Sequence, residues 1–311
     1  MIRDGTWGEY LKKMNSIRTK LSRNGEIHSQ KVHDYADNEY LGDITIGTPG
    51  QPFLYGTGDA AGFLGNDTVR FGAETENQLI VPGTVFGQAE RIADFFEGHP
   101  IDGILGLAFR RLAVENVNPP FLRAVDLGLV DPIFTVYLKR LGDSAKGAYG
   151  GVYTYGGLDN ENCGDVIAYE QLTAPLFWQF QLKGFSAGTV ALKTGWEVIS
   201  DTGTSFNGIL TSVANQIADA FNATYHPFYG VYLIDCNATV SLSLTIGDHD
   251  YVIESENLIT KVDKICMLTM FPMNAGGFGP QWILGDPFIR SYCNIHDAGK
   301  MRIGFAKPLS K

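Results

Sequence analysis

Cysteine, histidine and charge are all sparse. The 311 residues include four cysteines and six histidines, and 19% are charged. No CxxC and no HExxH occurs, so zinc and thioredoxin-type chemistry have no ligand set to draw on. The sequence calls for no metal and no cofactor. No apolar run approaches the roughly 18 residues that a membrane helix needs. The N-terminal stretch MIRDGTWGEYLKKM has no apolar core of an export signal. Low charge combined with 44% hydrophobic residues excludes a disordered chain and leaves a globular one, long enough for one large or two medium domains.

Glycine, by contrast, is plentiful, at 37 residues. It follows no triplet period, so it points to many tight turns between strands. The net charge of −10 is unevenly spread. Residues 1–31 hold seven bases and three acids, a leader of +4 on a body of −14. This contrast fits a segment that docks on its own protein, or a solvated arm. An acidic body does not suit nucleic acid, whose phosphates require bases.

Cys163, Cys236, Cys266 and Cys293 are widely spaced. Their even number fits two disulfides, with three connectivities open. Sequons stand at Asn66, Asn222 and Asn237. Together with the cysteines they favour a secretory or lysosomal compartment.

From about Val32 the chain turns to short alternating apolar runs. YLGDITIG (40–47), IFTVYL (133–138) and VSLSLTI (240–246) read as strands. In the last, Val240, Leu242, Leu244 and Ile246 alternate with hydroxyl residues, the period of a half-buried strand. Helical patterns are few. Asn118 with Pro119–Pro120 opens a helix over FLRAVDLG that stops near Gly128, and TSVANQIADAFNA (211–223) places Val213, Ile217 and Phe221 on one stripe. Residues 1–31 read as an amphipathic helix and a polar link. The body is therefore mainly β with short helices. An Ile-Leu-Gly echo in DGILGLAF (102–109) and WILGDPF (282–288) fits two similar lobes.

GFSAG (184–188) matches a nucleophile elbow, but its flanks read as a hairpin and not as strand-turn-helix. YGTGDAAG (55–62) has the wrong glycine spacing for a phosphate loop and leads into a strand. The informative segment is EVISDTGTS (197–205). An apolar strand delivers Asp201 onto a turn dense in hydroxyls and backbone N–H groups, donors that hold a carboxylate in place. The ordinary alternative is an Asx-turn at a strand end.

In this setting the chain resembles the pepsin-like aspartic proteases over nearly all its length. NEYLGDITIGTPGQPF (38–53) resembles the mature N-terminal strands and YGTGDAAGFLGNDTVRFG (55–72) the flap. DGILGLAF and WILGDPFIRSYCNIHDAGKMRIGFA are similar to the hydrophobic-hydrophobic-Gly segments of the lobes. The resemblance implies a mainly β, two-lobed fold with an active site between the lobes. It divides the chain into a propeptide-like leader (1–31), an N-terminal lobe (32–171) and a C-terminal lobe (172–311). It implies Asp201 as a catalytic aspartate, Thr204 and Gly203 at the substrate site, Thr202 bracing the loop, and Tyr55 as the flap tyrosine. It also implies disulfides 236–266 and 163–293. Protein or peptide substrates, a secreted or lysosomal site of action, a zymogen and a monomer follow from the same likeness.

The chain departs from that family at one point. Two Asp-Thr-Gly loops are needed, and only Asp201-Thr202-Gly203 is present. Where the first belongs, Phe53-Leu54 runs directly into Tyr55-Gly56, so the N-terminal lobe is expected to be incomplete. In the family two carboxylates share one proton, one acting as base on water and the other as acid on the carbonyl. Asp201 alone cannot do both, so this chain is expected to be inactive. Three readings follow. The chain is a shortened form of a working endopeptidase, a non-catalytic peptide binder, or one half of a symmetric pair that supplies one Asp201 from each copy.

Overall fold

The computed structural model describes residues 26–37, 39–46, 51–53, 60–92, 102–142, 145–274 and 279–309. Most of these residues lie in strands, arranged in four sheets.

A seven-stranded antiparallel sheet is made from distant parts of the chain. Its order is Glu39–Gly42, His28–Tyr35, Lys146–Tyr155, Ile133–Leu138, Cys293–Asp297, Arg302–Pro308 and Cys163–Gln171. The C-terminal strands thus sit between Ile133–Leu138 and Cys163–Gln171. Cys163 and Cys293 are joined across this sheet, with Cα atoms 6.1 Å apart. Cys236 and Cys266 form the other disulfide, as the family likeness implied. His28–Lys31, which the sequence reading placed at the end of the leader, form the first half of the strand His28–Tyr35. The helix read into residues 1–25 lies outside the described residues.

The run YLGDITIG is not one strand. It divides at Asp43 between Glu39–Gly42, in the seven-stranded sheet, and Ile44–Ile46, in a four-stranded sheet with Gln51–Phe53, Ala60–Phe71 and Leu79–Ile92. The Asp43 carbonyl marks the change of sheet, accepting the Gln30 amide at 2.8 Å and the Gly72 N–H at 2.8 Å.

The remaining strands build a nine-stranded sheet and a second four-stranded one. VSLSLTI behaves as its alternation predicts. In Ser241–Ile246, Leu242, Leu244 and Ile246 are buried while Ser241 is exposed. GFSAG is a hairpin, with Ala187 paired to Val190 around Gly188 at φ 55°. Trp282, Phe180, Phe288 and Phe305 are fully buried, each contributing about 1.5–3 kcal/mol of hydrophobic stabilisation. In the N-terminal half, Phe71 and Tyr155 meet edge to face at 4.9 Å.

Both central helices form as read. Pro120–Asp126 ends in a Schellman motif, in which Leu129 N–H donates to the Ala124 carbonyl and Gly128 N–H to the Val125 carbonyl. Gly128 supplies the positive φ of 69° that this ending requires. Asn118 does not cap the helix. Its amide donates to Asp126 at 2.8 Å. In Thr211–Ala220, Val213 and Ile217 are buried, and Phe221 is buried just beyond the last turn.

Candidate active site

The strand Trp196–Ser200 carries the sequence signal. Val198 and Ile199 are buried, so the strand is anchored in the core and its end is fixed. It runs parallel to Trp282–Leu284, which also pairs antiparallel with Asn207–Leu210. The loop 201–206 is therefore held on both sides. Asp201 N–H donates to the Leu284 carbonyl at 3.0 Å, and Asp286 N–H donates to the Thr204 carbonyl at 3.0 Å. Gly285 lies so close to the loop that a side chain has no room. An added Cβ would stand 2.1 Å from the Thr204 carbonyl oxygen.

Both oxygens of the Asp201 carboxylate are engaged. Gly203 N–H donates to Oδ1 at 2.9 Å, and Thr204 Oγ1 donates to Oδ2 at 2.6 Å. Asp201 is half-buried and Gly203 exposed. The turn thus offers a positioned carboxylate at the edge of a cavity, an arrangement able to take or give one proton. Tyr55 lies outside the described residues.

The cavity has a volume of about 350 Å³. Asp201, Thr202, Gly203 and Ser205 form one wall, and Ile104–Ala108 another. Trp178 also lines the cavity and donates its indole N–H to the Leu107 carbonyl at 3.0 Å. The two Ile-Leu-Gly segments therefore serve one place: the first lines the cavity, and the second ends at Asp286, which lines it too. Most of the lining is apolar, suited to side chains of an extended peptide.

Buried polar groups in and near the cavity had no clear signature in the sequence. His296 is buried, stacked on Phe134 at 4.3 Å, and burial pushes its imidazole down to about 3. Asp286 is buried, and burial holds its carboxyl well above the ordinary range. Arg290 opposes that shift and the charge of Asp201 adds to it. Asp34 is wholly buried and is pushed up to about 7, first by burial and then by the adjoining Asp37 carboxyl. Only the four-residue spacing of Asp286 and Arg290, in the segment DPFIR, hinted at such a cluster.

The three sequon asparagines Asn66, Asn222 and Asn237 are exposed. Among the described residues no group of His, Cys, Asp and Glu is placed to hold a metal. No helix among them is long and apolar enough to cross a membrane.

Comparison with known proteins agrees with this geometry. The family model described as eukaryotic aspartyl protease matches residues 52–308. "Aspartic protease 2" of Necator americanus is 41% identical, over 98% of this chain and 92% of that protein. "Aspartic protease 6" of Caenorhabditis elegans is 42% identical, over 100% of this chain and 92% of that protein. "Gastricsin" of Homo sapiens is 32% identical, over 98% and 91%. A strand-borne Asp-Thr-Gly loop beside an apolar cleft, with matches of this extent, places the chain in the eukaryotic aspartyl protease family.

Proposed function

We propose that this chain binds extended peptides in the cleft beside Asp201 and does not by itself cleave them. The observation that carries this reading is the solitary catalytic loop. Asp201-Thr202-Gly203 is fully braced, and no second Asp-Thr-Gly occurs in 311 residues. The alignment with "Aspartic protease 6" runs over 359 positions, 48 more than this chain has residues. That relative therefore carries residues this chain lacks, and the absent first Asp-Thr-Gly is the reason we place a missing segment at Phe53–Tyr55.

The chemistry sets the consequence. Peptide hydrolysis by this family needs a base on the water and an acid on the carbonyl together. General acid–base catalysis contributes on the order of 10²–10⁴ in rate. Asp201 supplies one role at a time. Gly203 and Thr204 lie where a substrate backbone passes, and the flap role that the family likeness gives Tyr55 falls on a residue outside the described ones. The chain divides at residue 171 into two lobes, preceded by a basic leader (1–31) that acts as a propeptide on the acidic body. The protein is a glycosylated monomer of a secretory or lysosomal compartment and has no use for nucleic acid.

The test is incubation of the full chain with a denatured protein at acid pH. No fragments are expected. Cleavage that disappears in Asp201→Asn would overturn the inactive reading. Peptide binding is checked by the fluorescence of Trp178, which lines the cleft. An apolar hexapeptide is expected to shift it, and a flat titration would remove the binding role.

A further inference from the structure

The helix Thr211–Ala220 ends in a second Schellman motif. Ala223 N–H donates to the Ala218 carbonyl at 2.8 Å and Asn222 N–H to the Asp219 carbonyl at 3.1 Å. The left-handed position that glycine usually fills is here Asn222, at φ 55°. Asn222 is also the first residue of the sequon Asn222-Ala223-Thr224. Its backbone is thereby fixed at the helix end, and the residue is exposed.

Beside it opens a cavity of about 210 Å³, lined by Asn215, Asp219, Thr224, Tyr225 and Tyr232 among others. Asp219 and Ala223, both lining residues, bracket Asn222 in the chain. Tyr225 is 43% exposed and packs on Tyr232 with ring centres 5.3 Å apart. Tyr232 donates its hydroxyl to Asn215 Oδ1 at 2.7 Å, which leaves the Asn215 amide N–H groups as donors. The Asp219 carboxylate, on the exposed side of the helix, is an acceptor. An aromatic face, an amide donor and a carboxylate acceptor around a small concavity match a sugar. The C–H face of a pyranose packs on the ring, and its hydroxyls use the polar groups.

We propose that Asn222 carries an N-linked glycan whose first N-acetylglucosamine seats in the cavity formed by Asn215, Asp219 and Tyr225. In the transfer step Asn222 Nδ2 attacks C1 of that sugar on a lipid-diphosphate oligosaccharide donor. The new C–N bond forms as the C1–O bond breaks. The electron pair leaves on the diphosphate oxygen, and the amide proton passes to a base of the transferase. Asn66 lies within the strand Ala60–Phe71, and Asn237 follows the disulfide residue Cys236. Asn222 is the sequon asparagine whose neighbours Ala223 and Thr224 line this cavity.

This inference rests on the compartment proposed above but not on the peptidase reading. The full chain, carrying a cleavable export signal, is expressed in eukaryotic cells. Both secreted and cell-retained protein are treated with peptide N-glycosidase in heavy-oxygen water. Asn222 is expected to be converted to labelled aspartate in most molecules, and an unlabelled Asn222 overturns the site. For the cradle, Tyr225→Ala is compared in the glycosylated chain and in an Asn222→Gln background. Its loss of Tm is expected to be about 2 °C larger when the glycan is present. Equal losses overturn the cradle. An inert chain in the denatured-protein assay affects neither result.

Discussion

The Arg290 guanidinium donates to the Asp37 carbonyl at 2.8 Å across 253 residues of sequence. Arg290 also donates to Asn257 Oδ1 at 3.1 Å. The Asp37 carboxylate accepts the N–H groups of Leu141 and Gly142 at 2.7 and 2.9 Å. The turn after the first described strand, residues 140–142 and the last helix are thus tied by one buried polar knot. Removing the cation leaves Asp286 buried without its counter-charge. Arg290→Ala is expected to cost about 3–5 kcal/mol of stability, measured by urea unfolding. A loss below about 1 kcal/mol, typical of a surface pair, would show that the knot is not structural.

Asp34 makes stability depend on pH. Its Oδ2 is buried with no donor in reach, and the Asp37 carboxyl, Arg290 and Asp286 surround it. A proton therefore favours the folded state. The ordinary value is 3.8 and the folded one about 7, so folding takes up a proton between them. The stabilisation is full below 3.8 and is lost as pH rises to about 7. Asp34→Asn keeps the neutral shape and removes the titration. Its Tm is expected to fall less than that of the parent chain between these limits. Parallel curves would exclude Asp34 as the source.

Gly285 holds the Asp201-Thr202-Gly203 loop by lacking a side chain. An added Cβ would meet the carbonyl oxygens of Thr204 and Phe206 at 2.1 and 2.3 Å. Both are backbone atoms, so the strain cannot be relieved by a rotamer change. Gly285→Ala is expected to cost about 1–3 kcal/mol and to weaken peptide binding in the Trp178 fluorescence titration. Unchanged binding would show that the loop tolerates separation from Leu284.

The two disulfides close loops of different length, with separations of 130 and 30 residues. Chain entropy predicts about 5 kcal/mol for the longer and about 3.6 kcal/mol for the shorter. Replacing Cys163 and Cys293 together by alanine is expected to destabilise more than replacing Cys236 and Cys266. Denaturant midpoints of the two double variants compare them directly, and the reverse order would point to strain or denatured-state structure.

Local patterns were readable wherever one residue type repeats on one face. The alternation in Val240–Ile246, the stripe of Val213 and Ile217, and the Asp-Thr-Gly turn after buried Val198 and Ile199 all translate directly. The division of YLGDITIG at Asp43 was not readable, because an alternating run looks the same whether it serves one sheet or two. Its cause is the carbonyl contacts of Asp43 with Gln30 and Gly72, set by tertiary packing. Asn118 had the right residue type for a cap, yet its amide reaches Asp126 instead. The cluster of Asp34, Asp37, Asp286 and Arg290 escaped notice because its members are far apart in sequence and resemble surface charges until they are buried.

The seven-stranded sheet also dictates a timetable. Ile133–Leu138 pairs with Cys293–Asp297, and Cys163–Gln171 with Arg302–Pro308. During synthesis Ile133–Leu138 and Cys163–Gln171 emerge without these partners, leaving strand edges open until residues 293–308 leave the ribosome. Such long-range pairing makes folding slow. A nascent chain stalled before residue 293 therefore exposes adhesive edges, and its fate rests with chaperones rather than with its own core.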